Sequence, residues 1–168
     1  MMIKLIDQQY KDLVQQQSYD KFLEKFSNHT PQLRRELFEW LSRDYLNTHD
    51  IYGQEEWYLP ENLPSNIIQN LDLSDLIAGK STKGFDIASM HNDGSVAECK
   101  LLDDGSTFKF KELANKDKFL DSTNVKNRIL IISADGISKQ IIQRLDNWTI
   151  ITDDEVLCET TWKKIKQY

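Results

Sequence analysis

Two cysteines, three prolines and six glycines are few for a chain of 168 residues, and each scarcity excludes something. Cys99 and Cys158 cannot make a disulfide framework and form no C-x-x-C pair, so neither oxidative stapling nor a cysteine-built zinc site organises the chain. So little glycine and proline excludes a collagenous or low-complexity polymer. Apolar runs extend over only a few residues, which excludes a transmembrane helix. Residues 1–7 turn polar too early for a secretory signal. An intracellular, cytoplasmic setting with no membrane partner is expected. Three histidines, His29, His49 and His91, show no metal-ligand spacing. His29 precedes a helix cap and His91 a turn, so both are expected at the surface.

An excess of positive charge is also lacking. Twenty-one Lys and Arg against twenty-seven Asp and Glu give a net charge of −6. This excludes a protein that coats nucleic acid through bulk charge, though not one that grips it at a local basic groove.

What is present suits one packed domain, with 39 % hydrophobic and 29 % charged residues. Residues 1–28 read as an N-terminal helical segment. Ile6, Tyr10, Leu13, Val14, Tyr19, Phe22, Leu23 and Phe26 recur at helical spacing, with an interruption at 15–18. Thr30 as N-cap and Pro31 in the first turn open a second helix. Residues 47–83 are irregular, with a short extended stretch at 57–60 and a short helix within 66–76. Trp40, Trp57, Trp148 and Trp162 read as core or edge residues, and Trp57 and Tyr58 also as candidates for stacking on bases.

The second half is strand-rich. Runs at 85–90 and 95–102 flank Asn92-Asp93-Gly94, a hairpin signal. Residues 107–110 read as a short strand and 111–120 as a helix. Residues 128–133, 137–145 and 148–152 read as a strand–helix–strand parallel crossover. The expected class is α/β, a mixed central sheet flanked by helices. The main domain is expected over 29–160, with 161–168 as a polar, basic tail or linker to a further domain.

The chemistry lies in Asp86 and, after eleven residues, Glu98-Cys99-Lys100. Strand alternation puts Glu98 and Lys100 on one face and turns Cys99 into the core, where a thiol is unreactive. With a three-residue loop at 92–94, His91 faces Ser95, Asp86 faces Lys100, and the three charged side chains share a face. A two-residue loop sends Asp86 to the opposite face. Two carboxylates and a backbone carbonyl, that of Cys99, are ligands Mg²⁺ prefers. Lys100 can orient or deprotonate a water, or steady a phosphate as a point charge. The same residues also fit a cross-strand salt-bridge cluster on a solvated face. Lys109, Lys111, Lys116, Lys118, Lys126 and Arg128 fit either a solvated surface or a phosphate-contacting strip.

The pattern Asp86…Glu98-x-Lys100 resembles the PD-(D/E)xK nuclease superfamily. Ser133-Ala134-Asp135-Gly136 after an apolar strand, with the helix and strand that follow, resembles an Mrr-like restriction endonuclease domain. Leu37-Phe38-Glu39 and Trp57-Tyr58-Leu59-Pro60 resemble the lead-in of such domains in helicase and restriction proteins. The likeness covers about residues 33–155. Phe85 stands where the superfamily's name has proline. The resemblance implies a restriction-endonuclease-like fold and an Mg²⁺-dependent endonuclease acting on DNA, with Mn²⁺ able to substitute and RNA left open. It implies a metal held by Asp86, Glu98 and the Cys99 carbonyl, and products with a 5′-phosphate and a 3′-hydroxyl. It assigns Lys100 to the water and a supporting carboxylate to the first helix, Glu39 by motif, with Glu36 at the edge of the apolar face as the alternative. A homodimer of resolvase type, a helicase partner, and an inactive module that binds nucleic acid or a protein are further readings of the same pattern.

Overall fold

The computed structural model describes residues 5–78, 81–102, 108–133 and 147–168. It opens with α1 (Leu5–Val14), α2 (Tyr19–Asn28) and α3 (Pro31–Thr48). The break expected at 15–18 is where Ser18 Oγ accepts the Lys21 N–H at 3.2 Å and caps α2. Thr30 Oγ1 accepts the Leu33 N–H at 3.3 Å, so α3 begins where its cap predicts.

Then come β1 (Trp57–Tyr58), α4 (Ser65–Leu71), a ribbon of β2 (Ile77–Ala78) and β3 (Ser81–Thr82), β4 (Ile87–Ser89) and β5 (Ser95–Lys100). They are followed by α5 (Phe110–Leu120), β6 (Asn127–Ile132), β7 (Trp148–Thr152), a turn of helix at Asp153–Val156 and a C-terminal helix at Glu159–Gln167. The main sheet has the order β1-β4-β5-β6-β7. Its first three strands pair antiparallel and its last three parallel. The chain is thus mixed α/β, with a five-stranded mixed sheet flanked by helices.

Alternation along the strands builds a core on each face. Ala97, Cys99, Ile129 and Ile131 pack with α1, α2, α3 and the C-terminal helix, whereas Val96, Leu130 and Ile132 pack with α4 and α5. Burying each such aliphatic side chain contributes about 1.5–3 kcal/mol.

Several local expectations are corrected. Residues 161–168 are not a loose tail: Trp162 and Ile165 are buried, and Trp162 Nε1 donates to the Val14 carbonyl at 2.9 Å. Lys109 is the N-cap of α5 and Phe110 opens it, so the strand expected at 107–110 is not found over 108–110. Trp57 is 1 % exposed, its indole donating to the Tyr52 carbonyl at 2.8 Å, and cannot stack on a base. His91 is buried, its ring against Tyr52 and Trp57. The helix expected at 137–145 lies outside the described residues. Among the described residues, no helix is long and apolar enough to cross a membrane.

Candidate active site

The site is built where α3, the hairpin and α5 meet. Leu37, Phe38 and Leu41 seat α3 in the core beneath β5. Asn47, near its C-terminal end, pins it to β1: the side chain accepts the Trp57 N–H at 2.7 Å and donates to the Trp57 carbonyl at 3.2 Å. This leaves Glu36 exposed and Glu39 half-buried.

The hairpin register differs from the expected one. Ser89, not His91, faces Ser95, and Ile87 faces Ala97. The connection is the five residues 90–94, with Asn92 (φ 49°), Asp93 (φ 66°) and Gly94 (φ 126°) all at positive φ. Ser95 Oγ donates to the His91 carbonyl at 2.7 Å, and the His91 N–H donates to Ser89 Oγ at 3.0 Å. A Cβ on Gly94 would lie 2.4 Å from Leu71 Cδ2, so the turn needs glycine for space as well as for φ. The slip relative to the expected pairing is two residues. Because side chains alternate with period two, an even slip keeps the face. The ladder ends at Ile87 and Ala97, so Asp86 has no cross-strand partner and the expected pairing with Lys100 does not form.

Asp86 stands just before β4. Its N–H donates to the Ala97 carbonyl at 2.8 Å, and its Oδ2 accepts the Cys99 N–H at 2.8 Å. The carboxylate takes the place of a ladder partner. A strand residue's N–H and C=O point to the same edge, so the Cys99 carbonyl is turned to the Asp86 side. The Lys100 carbonyl is turned the other way and accepts from the Ser133 N–H at 3.1 Å. The Cys99 thiol is buried in the opposite core as expected.

Glu98 is 3 % exposed. Its Oε1 lies 3.8 Å from Lys100 Nζ and 3.3 Å from Lys116 Nζ. Its Oε2 is buried with no hydrogen-bond partner among the described residues. Leaving such an oxygen unpaired costs about 1–3 kcal/mol or more.

The electrostatics reflect crowded carboxylates. Burial, then the charges of Glu98 and Glu39, push the Asp86 carboxyl well above the usual range, while the Cys99 N–H and Lys116 pull it back. Burial, then Glu98 and Glu36, push Glu39 up to about 7, opposed by Lys100. Burial, then Asp86 and Glu39, raise the Cys99 thiol, which suits a structural cysteine. Three acids thus sense one another across α3, β4 and β5.

The donor set fits a hard divalent cation: two carboxylates, one with an orphaned oxygen, and a carbonyl on the same side. Among the described residues, no group of three or more His, Cys, Asp or Glu side chains is placed to hold a metal ion. Mg²⁺ characteristically takes only one or two carboxylates and keeps several waters.

The lysines divide. Lys109, Lys111 and Lys118 are exposed, and the last two, seven residues apart, share a face of α5. Lys116 turns inward onto Glu98. Its signal in the sequence is its position, three residues after Leu113 and four before Leu120, both buried. Arg128 is drawn out of the expected strip by Asp117 and Asp121.

Compared with protein-family models, curated proteins and solved structures, the chain matches none.

Proposed function

We propose that the chain is a divalent-metal-dependent nuclease domain of restriction-endonuclease-like fold that hydrolyses phosphodiester bonds of DNA. The observation that carries this reading is the buried Oε2 of Glu98, without a hydrogen-bond partner among the described residues, on a carboxylate whose charge acts on Asp86 and whose Oε1 lies near two lysines. A carboxylate kept out of water and left half unpaired is costly unless a ligand completes it.

Asp86, Glu98 and the Cys99 carbonyl would hold Mg²⁺ or Mn²⁺. When bound, the ion supplies charge stabilisation at the scissile phosphate and acidifies water at the site. Lys100 orients the attacking water against the phosphorus and offsets the charge that develops there. Glu39 adds a third carboxylate from α3 that supports the acidic pocket. Lys111 and Lys118 contact backbone phosphates in a protein whose net charge otherwise repels them.

Plasmid nicking with Mg²⁺ or Mn²⁺ tests the reading. Wild type is expected to relax and linearise the plasmid, with Glu98→Ala and Lys100→Ala each reducing the rate at least ~100-fold. Absence of metal-dependent cleavage on duplex, branched and single-stranded DNA, with binding retained, would overturn it in favour of a non-catalytic module.

A further inference from the structure

Glu98 Oε1 has two cations beside it. Lys100 is supplied by the same strand and Lys116 by α5, and the α5 contact is the shorter, 3.3 Å against 3.8 Å. The helix is held in place next to it. Asp117 accepts from Trp148 Nε1 at 2.9 Å and from Arg128 Nη1, and Arg128 Nη2 reaches Asp121 at 3.0 Å. α5 is thereby fastened to β6 and β7, and Lys116 cannot leave Glu98 by drift of the helix. Its side chain keeps 26 % of its exposure, so the flexible stem can swing towards solvent while the backbone stays fixed.

We propose that Lys116 is the resident counter-ion of Glu98: it weakens divalent-cation binding in the metal-free protein and yields the carboxylate when a nucleic-acid phosphate offers it another anion. This rests on the metal-site reading given above. Glu39, Asp86 and Glu98 repel one another, and a lysine at Glu98 relieves that repulsion. The same positive charge repels an ion arriving at Oε2. Coupling free energies are reciprocal, so what Lys116 contributes to the metal-free state it subtracts from the ion's affinity. A substrate phosphate draws the ammonium away and adds negative charge of its own. Ion loading is thereby tied to substrate binding, and Lys116 acts as a positioning residue.

Calorimetric titration of Mn²⁺ into the full chain without nucleic acid tests this. Lys116→Met is expected to bind Mn²⁺ about tenfold more tightly than wild type. Lys116→Arg, which keeps the charge, is expected to bind like wild type. A phosphorothioate duplex that resists cleavage should tighten Mn²⁺ binding severalfold in wild type and less in Lys116→Met. Circular dichroism checks that both variants are folded. Equal or weaker Mn²⁺ binding by Lys116→Met, an Arg variant as tight as the Met variant, or an equal effect of the duplex on both would overturn the proposal. Glu98→Gln separates the two levels. Wild-type binding that is lost in Glu98→Gln but unchanged in Lys116→Met sinks the counter-ion role alone, whereas no uptake of Mn²⁺ by wild type sinks the metal site and the counter-ion together.

Discussion

The Oδ2 atom of Asp86 accepts the backbone N–H of Cys99 at 2.8 Å, closing the β4–β5 ladder with a side chain in place of a peptide group. One carboxylate therefore both ends the strand pairing and faces the candidate metal site. Asp86→Asn keeps an acceptor and removes a charge that Glu98 and Glu39 oppose. Asp86→Ala leaves the Cys99 N–H unpaired. At pH 8 the Asn variant is expected to be at least as stable as wild type, and the Ala variant about 1–2 kcal/mol less stable than the Asn variant by urea denaturation. Both should lose cleavage. Equal stability of the two variants would contradict the bridging role.

Glu39 titrates near 7 because burial and Glu98 oppose its charge. Its folded pKa lies above the unfolded value. Its favourable contribution is therefore complete below about pH 4.5 and is lost as pH rises through about 7. Glu39→Gln removes that loss. In the metal-free protein it should raise stability at pH 8 by roughly 1–2 kcal/mol, after allowance for its partial exposure, and change little at pH 4.5. Thermal melts at the two pH values measure this, and a gain of the same size at both would refute it.

A divalent cation should do by binding what protonation does at low pH. At a hundredfold excess over its dissociation constant, Mn²⁺ is expected to stabilise the fold by about 2.7 kcal/mol. The shift should be larger at pH 8 than at pH 5.5, where the ion competes with protons on Asp86 and Glu39. Glu98→Gln should abolish it. A melting temperature indifferent to Mn²⁺ at pH 8 would count against the site.

Asp117 joins α5 to two strands through Arg128 and Trp148. Asp117→Ala leaves a half-buried guanidinium short of one carboxylate and an indole N–H unpaired, and is expected to cost about 2–3 kcal/mol. Trp148 fluorescence during chemical unfolding reports it. A loss below about 0.5 kcal/mol would mean that the clasp does not hold the helix.

Much of this arrangement is local and so legible in the sequence. Ser18 and Thr30 cap helices because a short side-chain oxygen satisfies N–H groups two or three residues on. Period-two alternation determined that Glu98 and Lys100 share a face while Cys99 enters the core; where Asp86 lies was left to the hairpin loop, which proved longer than the shortest fit. What the tertiary structure decided involves partners distant in the chain. Lys116 reads as one more lysine on a charged helix until α5 is laid against β5 and Glu98 meets it. Glu39 is half-buried and senses the charge of Glu98 while Glu36 stays exposed, which depends on how α3 lies on the sheet. Residues 161–168 look like a polar tail until Trp162 reaches the Val14 carbonyl, 148 positions away. Backbone preferences act over a few residues, so sequence alone carries them; the meaning of a charge depends on which other charge, and how little water, the folded chain brings beside it.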